Sequence, residues 1–148
     1  MLNDTDFLHI VDVTPLVSID LILRNERGEV LLGRRAKRPA QGLWFVPGGR
    51  IRKNERVPDA LQRISRRELG VTISEAKLLG VFDHIYPDNF LDAPGVNTHY
   101  VVLGMAAELA GNLRFTADDQ HSELKWWTAD ELLASDAVHE NTKAYFRP

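Results

Sequence analysis

One carboxylate in the sequence lies where folding alone would not place it. A helix is predicted over Val57–Leu69, because Pro58 suits its first turn and Gly70 suits the position just after its end. On the helical wheel Glu68 falls within about 40° of Ile64, and therefore on the apolar side of this helix. Glu68 also lies in the last turn, where the helix dipole disfavours a negative charge by about 0.3–1 kcal/mol. Two costs at one position predict a compensating cation beside Glu68; the alternative is that the last turn has cleared the core and Glu68 is exposed.

A glycine pair precedes that helix and is followed at once by basic residues. Gly48 and Gly49 have no side chains, so their backbone atoms can approach a ligand or a metal ion closely. Arg50 comes next, and a guanidinium group matches two phosphate oxygens at once. Most Pro-Gly-Gly stretches are plain turns, but this one delivers Arg50 beside the helix that carries Glu68. The combination predicts a site for a small polyanion.

Other side chains could contribute to the same site. Gln120 offers an amide oxygen as a ligand, and His121 beside it offers an imidazole that could act as a base near neutral pH, although a loop histidine more often has no such role. Arg35 belongs to the run RRAKR, which is either a solvated charged face or a phosphate clamp. His84 and Tyr100 lie on predicted strands, where a packing role is at least as well supported as a binding role.

The elements that must position these residues predict an α/β protein of the α+β type. Strands are predicted at Leu16–Arg24, 29–33, 43–46, 50–52, 78–86, 99–109 and 122–127. Helices are predicted at Val57–Leu69, 129–135 and 141–146. This order favours a mixed β-sheet sandwiched between helices. The two-residue period of the first strand places Ser18 and Asp20 on one face and Ile19 and Leu21 on the other.

Length and composition limit the classes of function. A chain of 148 residues predicts one domain spanning 1–148, and the absence of cysteine means that oxygen or imidazole ligands must hold any metal. The isoelectric point near 5.9 argues against a long nucleic-acid partner. The N-terminus does not resemble a secretory signal and no apolar stretch approaches the ~20 residues of a membrane span, so a cytoplasmic protein without membrane contact is expected.

The stretch from Gly49 to Val71 resembles the Nudix box, a pattern of Gly, five residues, Glu, seven residues and Arg-Glu-hydrophobic-x-Glu-Glu-x-Gly-hydrophobic. The positions that match are Gly49, Glu55, Arg63, Glu68, Gly70 and Val71. Ile64 and Arg67 stand where the pattern has glutamate, and Ser65 stands where it has a hydrophobic residue. The resemblance implies a Nudix fold, but the several glutamates that usually gather Mg²⁺ for attack on phosphorus are not all present.

These departures resemble one Nudix subfamily, the GDP-mannose mannosyl hydrolases, as do the segments TPLVSIDLI, LLGRRAKRPAQGLWFVPGGR and DDQHSELKW. The resemblance implies hydrolysis of a GDP-sugar, GDP-mannose or GDP-glucose, by attack of water at the sugar C1 with inversion. GDP and the free sugar would be the products. It also implies one Mg²⁺ per site, which Mn²⁺ could replace, and a homodimer.

The same resemblance implies a role for each residue of the site. The implied metal ligands are the Gly49 carbonyl, the Glu68 carboxylate and the Gln120 amide oxygen. The implied catalytic groups are His121 as general base, with Arg35 and Arg50 stabilising the leaving GDP. The implied substrate-binding residues are Asp20, Arg63, Tyr100 and His84.

Two other functions stay open at this point. The chain could be an ordinary Nudix pyrophosphatase that gives a sugar phosphate and GMP. It could also be a catalytically silent Nudix module that senses a nucleotide sugar, although the presence of Glu68, Gln120 and His121 counts against this. In attack at carbon the diphosphate is the leaving group. Fewer carboxylates and the added Arg67 leave more positive charge at the site, and this charge favours departure of the diphosphate.

Overall fold

The computed structural model describes residues 2–112 and 121–148, with the backbone alone at 121 and 122. Within these ranges the helices are α1 Asp4–Val13, α2 Val57–Leu69, α3 Ala129–Ala134 and α4 Glu140–Lys143. The strands are β1 Leu16–Arg24, β2 Val30–Arg35, β3 Trp44–Phe45, β4 Gly48–Arg50, β5 Lys77–Tyr86, β6 Thr98–Glu108 and β7 His121–Trp127. No helix in the described part of the chain is both long enough and apolar enough to cross a membrane.

The strands form one mixed sheet, as predicted. In the described residues it has seven strands in the order β3-β2-β1-β6-β5, with β4 joined to β1 and β7 joined to β2. β1 and β6 run parallel, whereas the other paired strands are antiparallel. β1 pairs with β6 along its whole length and with β4 through Ser18, Ile19 and Asp20. The central strand therefore holds the glycine pair in place.

Helices cover both faces of the sheet. Ile19, Leu21 and Leu23 of β1 are fully buried against α2. On the opposite face Ile22 packs in a second cluster with Trp127 and with Leu132 of α3. The predicted alternation along β1 is thus confirmed: Ile19 and Leu21 pack in the cluster under α2, whereas Ser18 and Asp20 line a cleft instead.

The central helix α2 begins and ends at the predicted residues. Gly70 takes the left-handed conformation, with φ 73°, that ends the helix, and its N–H donates to the carbonyl of Arg66. The Ser65 hydroxyl is fully buried, accepts from the Ile73 N–H at 2.8 Å and donates to the Gln62 carbonyl at 3.1 Å. Ser65 therefore fixes the segment that follows the helix, which explains a polar residue at a position where the Nudix box has a hydrophobic one.

Helix α1 was not predicted, and the predicted strand 50–52 begins two residues earlier, at Gly48. The N-cap of α1 is Asn3, whose side chain accepts from the Asp6 N–H at 2.9 Å. Its Phe7 packs on Phe90, with ring centroids 4.9 Å apart. β4 starts at Gly48 because both glycines pair with β1. α1 thereby brings an aromatic ring to the mouth of the cleft.

Candidate functional site

A cleft of about 320 Å³ opens between the middle of β1, β4, α2 and the ends of β5 and β6. Eight of the ten predicted site residues line it: Asp20, Arg35, Gly49, Arg50, Arg63, Glu68, His84 and Tyr100. Gln120 lies outside the described residues. His121 is described by its backbone alone, which pairs with the backbone of Arg35 between β2 and β7. The sequence therefore identified residues from distant parts of the chain that the fold brings into one cleft.

The glycine pair allows β4 to lie directly against its neighbours. A Cβ added to Gly48 would lie 2.3 Å from the carbonyl oxygen of Ile19, which no real side chain tolerates. A Cβ added to Gly49 would lie 3.1 Å from Cγ1 of Ile64 on α2. Close approach, rather than a positive φ, is the reason for glycine at both positions. The backbone of β4 thereby reaches the cleft between β1 and α2.

Glu68 is buried, with 2% of its surface exposed, so the alternative that the last turn of α2 clears the core is wrong. Its carboxylate lines the cleft together with Gly49. Among the residues that the structure describes, no three His, Cys, Asp or Glu side chains are grouped to hold a metal ion. Mg²⁺ is commonly bound by one or two carboxylates plus substrate phosphates and water. The oxygen donors here fit such an ion, which the substrate would help to hold.

Arg63 is held by the protein itself. Its Nε donates to Oε2 of Glu55 at 2.7 Å, and its Nη2 donates to Oε1 of Glu55 at 2.9 Å and to the carbonyl of Arg50 at 2.8 Å. The hydrogen bonds from Arg63 are the main reason that the pKa of Glu55 falls to about 2. These contacts position the end of β4, and binding of substrate by Arg63 stays a prediction.

Three arginines on the β4 and α2 side of the cleft form no ion pair with a carboxylate of the described chain. The guanidinium of Arg50 lies 4.4 Å above the ring of Phe7, a cation–π contact that orients it. Arg52 and Arg67 are exposed and contribute to the same side of the cleft. An arginine stays protonated in any protein environment, so this side carries a permanent positive charge.

Asp20 and His84 form the opposite side, where burial sets the charge of each group. The hydroxyl of Tyr145 donates to Oδ2 of Asp20 at 2.7 Å, and Nδ1 of His84 lies 3.9 Å from the same oxygen. Burial raises the pKa of Asp20 to about 6, against the lowering effects of the Tyr145 hydrogen bond and the Arg35 charge. Burial, with the charges of His139 and Arg35, lowers the pKa of His84 to about 4. Near pH 7, Asp20 is mostly ionised and His84 is neutral.

Arg35 lies between aromatic rings on this buried side. Its guanidinium is 4.0 Å from the ring centroid of Phe45 and 5.7 Å from that of Tyr86, and it donates to the Pro39 carbonyl at 2.9 Å. The ring of His139 stacks on the Phe45 ring, and the two ring centroids are 4.8 Å apart. The stacking holds Arg35 in one orientation and leaves part of its fork of donors for a ligand.

The sequence prediction missed Tyr145, His139, Phe45 and Phe7. Tyr145 meets Asp20 across 125 positions of the chain, so no local pattern relates them. A signal existed only for Phe7, since Asn3 followed by two acidic residues marks the start of a helix that carries it.

Comparison with known proteins agrees with the observed fold. The chain matches the NUDIX domain over residues 14–147. The low-salt glycan biosynthesis protein Agl8 of Haloferax volcanii is 43% identical over 123 residues, which are 82% of this chain and 76% of Agl8. The 8-oxo-dGDP phosphatase NUDT18 of Danio rerio is 30% identical over 112 residues, which are 74% of this chain but 31% of that protein.

Solved structures show the same architecture. A MutT NUDIX hydrolase from Burkholderia pseudomallei has a TM-score of 0.73 and 29% identity, covering 90% of this chain and 96% of that one. The NUDIX domain of Shewanella oneidensis NrtR, solved with ADP ribose, has a TM-score of 0.69 and 20% identity, covering 98% and 95% of the two chains. The mixed sheet between helices is the Nudix fold, as predicted, and the chain belongs to the NUDIX family of hydrolases.

Proposed function

We propose that the chain is a cytoplasmic, Mg²⁺-dependent hydrolase of a GDP-sugar, GDP-mannose or GDP-glucose, that cleaves the bond at the sugar C1. The observation that carries this proposal is the charge of the cleft. Among the residues that the structure describes, five arginines line it, but the Nudix box supplies only Glu68 as a carboxylate on the lining. Such a site suits a reaction in which a diphosphate leaves.

The residues around the glycine pair suit a bound divalent ion. Nudix hydrolases generally use such an ion, and the Gly49 carbonyl, the Glu68 carboxylate and the Gln120 amide oxygen would hold it here. Mg²⁺, or Mn²⁺ in its place, supplies positive charge at the diphosphate oxygens when it is bound. One ion per site is part of the proposal, and the small number of carboxylates that the described residues bring to the cleft supports it.

The chain's own residues then have separate roles in the reaction. An imidazole nitrogen of His121 takes a proton from water as the water oxygen bonds to C1 from the face opposite the diphosphate. The bond between C1 and the diphosphate oxygen breaks, and its electron pair stays on GDP, where Arg35 and Arg50 stabilise the charge. The products are GDP and a free sugar of inverted configuration, and His121 returns its proton to solvent.

The buried side of the cleft suits the sugar. A largely ionised Asp20 accepts hydrogen bonds from hydroxyl groups, and the neutral His84 can donate or accept one. Tyr100 lines the same region, and burial raises its pKa, so its hydroxyl stays protonated and can donate. The glycan biosynthesis named for the Haloferax volcanii relative supports a sugar-containing substrate.

Attack at phosphorus is the second candidate, and the phosphatase activity named for the Danio rerio relative favours it. A single experiment separates the two. Hydrolysis of GDP-mannose in ¹⁸O-labelled water, with mass spectrometry of both products, is expected to place the label in the sugar and none in GDP. Label in a phosphate, together with GMP as a product, overturns attack at carbon. Binding of GDP-mannose without turnover at saturating Mg²⁺ overturns both and favours a silent sensor.

A homodimer is part of the proposal and is supported by one edge of the sheet. β5 forms that edge in the described chain, and its exposed apolar residues are Leu78, Leu79, Val81 and Ile85, with 52%, 49%, 58% and 60% of their surfaces exposed. A second copy that covers this edge would bury them. Sedimentation equilibrium is expected to give a dimer for the wild type and a monomer for Val81→Lys combined with Ile85→Lys; a monomeric wild type overturns the dimer.

A further inference from the structure

Arg67 reverses the charge that the Nudix box has at its position, and it lies on the cleft side of α2. Arg63 and Ile64, four and three residues before it, line the same cleft. Residues at these spacings share one face of a helix. Arg67 is therefore a cation placed where the family pattern has a glutamate, next along the chain to the buried Glu68.

The fold does not use the guanidinium of Arg67. This side chain is exposed and makes no hydrogen bond or ion pair with any residue in 2–112 or 121–148. One turn before it, Arg63 is already bound to Glu55, and like charges four residues apart on a helix are mildly destabilising. The C-terminal end of a helix favours a cation, but Arg66 lies in that turn as well. Folding therefore accounts for one arginine in this turn and leaves Arg67 unexplained.

Arg66 shows what an arginine of this turn does when its role is structural. Its Nε donates to Oγ1 of Thr72 at 3.2 Å, in the segment that follows the helix. Arg66 is not part of the cleft lining, whereas Arg67 is. Two adjacent arginines that are both exposed thus differ in the surface that they face.

We propose that Arg67 binds a phosphate of a nucleoside diphosphate, acting with Arg50 and Arg52 as a fixed source of positive charge on the open side of the cleft. A Nudix box with more carboxylates would bring positive charge to the phosphates through bound metal ions. Here the guanidinium of Arg67 supplies part of that positive charge directly. Part of the affinity for the diphosphate is then independent of metal. The proposal rests on the proposed function for the class of ligand only, since it holds whether carbon or phosphorus is attacked.

Calorimetric titration of the full chain with GDP and with inorganic pyrophosphate, in EDTA and again with Mg²⁺, tests this assignment. Arg67→Gln is expected to weaken binding of both ligands in EDTA about tenfold, because a charge-assisted pair of hydrogen bonds is lost. Arg67→Lys, which keeps the charge but not the planar fork, is expected to fall between Arg67→Gln and the wild type. The matched control Arg66→Gln makes the same charge change one residue away and is expected to bind within twofold of the wild type.

Equal affinities of Arg67→Gln and the wild type overturn the proposal, and so does an equal loss in Arg66→Gln, which would indicate a general effect of charge on the helix. Circular dichroism and thermal unfolding establish that each variant is folded, and Arg67→Lys carries the test if Arg67→Gln is not. If Arg67→Gln loses affinity while ¹⁸O enters a phosphate, attack at carbon fails and this assignment stands. If label enters the sugar while Arg67→Gln binds like the wild type, only this assignment fails.

Discussion

The two sides of the cleft differ in how the charges of their side chains are determined. We call the side formed by Arg50, Arg52 and Arg67 the open wall, because these side chains form no ion pair with a carboxylate in the described residues. We call the side formed by Asp20 and His84 the buried wall, because burial shifts the pKa values of both groups. A guanidinium needs no special environment to keep its charge, whereas the charge of a carboxylate or an imidazole depends on its surroundings. An exposed wall of arginines can therefore bind phosphate. A carboxylate or an imidazole, in contrast, needs a buried wall to shift its pKa.

The other two arginines of the cleft, Arg63 and Arg35, are held in place by contacts within the protein. Arg63 is occupied by Glu55 and the Arg50 carbonyl, and Arg35 is stacked on Phe45. Both hold parts of the site in position, Arg63 at the base of the open wall and Arg35 within the buried wall. Arg63 is thereby neutralised within the protein, whereas Arg35 and the arginines of the open wall keep donors that a bound anion could use.

The largest effect is expected for Glu68→Gln, which removes the carboxylate between the walls. Loss of its charge should weaken the dependence of the rate on Mg²⁺ and lower kcat/KM by about 100-fold or more, the upper end of what supporting residues of metal sites cost. A Mg²⁺ titration of the hydrolysis rate measures this, with the exposed Glu75→Gln as the control for a lost surface carboxylate. An unaltered Mg²⁺ titration for Glu68→Gln would remove Glu68 from the metal site.

Gly48→Ala is expected to separate the walls by displacing β4. The added Cβ would lie 2.3 Å from a backbone oxygen of β1, whereas in Gly49→Ala it would lie 3.1 Å from side-chain carbons of Ile64, which can move. Overpacking of this kind costs about 1–3 kcal/mol, with Gly48→Ala at the upper end and Gly49→Ala at the lower. Urea unfolding of the two variants measures the difference, and equal costs would contradict the backbone clash.

The parts of the cleft were not equally predictable from the sequence. Gly49 and Glu68 lie within one stretch, where Pro58 and Gly70 mark the ends of the helix, so local rules were enough to place them. Arg63 was named only through the resemblance to the Nudix box. The buried wall draws on both ends of the chain. The hydrogen bond between Tyr145 and Asp20 in this wall depends on packing of the C-terminal segment against β1, and no local sequence pattern predicts that packing. The mixed sheet was predictable from the order of the elements, and the start of α1 from Asn3 and the acidic residues after it, but the pairing of β4 with β1 was not.

Tyr145→Phe tests whether the buried wall sets the charge of Asp20. The hydrogen bond from Tyr145 lowers the pKa of Asp20, so its loss should raise that pKa further above 6. A hydrogen bond to a charged group contributes about 1.5–3 kcal/mol, so kcat/KM should fall about tenfold or more, with the acidic limb of its pH profile moved to higher pH. In an Asp20→Asn background Tyr145→Phe should not move that limb. A shift that persists in that background would assign it to another group.

Asp20 also makes stability depend on pH, with a sign that follows from its raised pKa. Its pKa rises from 3.8 in the unfolded chain to about 6 in the folded one. The folded state therefore binds this proton more tightly. The resulting stabilisation is complete below pH 3.8 and is lost as the pH rises through 6.

Glu55→Gln is expected to have the smallest effect on activity and a specific effect on stability. The pKa of Glu55 is about 2 in the folded chain and 4.5 in its ordinary state, so its contribution is present above pH 4.5 and is lost as the pH falls towards 2. Urea unfolding between pH 2 and 7 should show Glu55→Gln less stable than the wild type at pH 7, with the difference narrowing below pH 4.5. Arg63→Lys, which keeps the charge but loses the two-point contact, should fall between them. A large loss of activity in Glu55→Gln at a pH where it is fully folded would show that this pair does more than position β4, and that the open wall extends to Arg63.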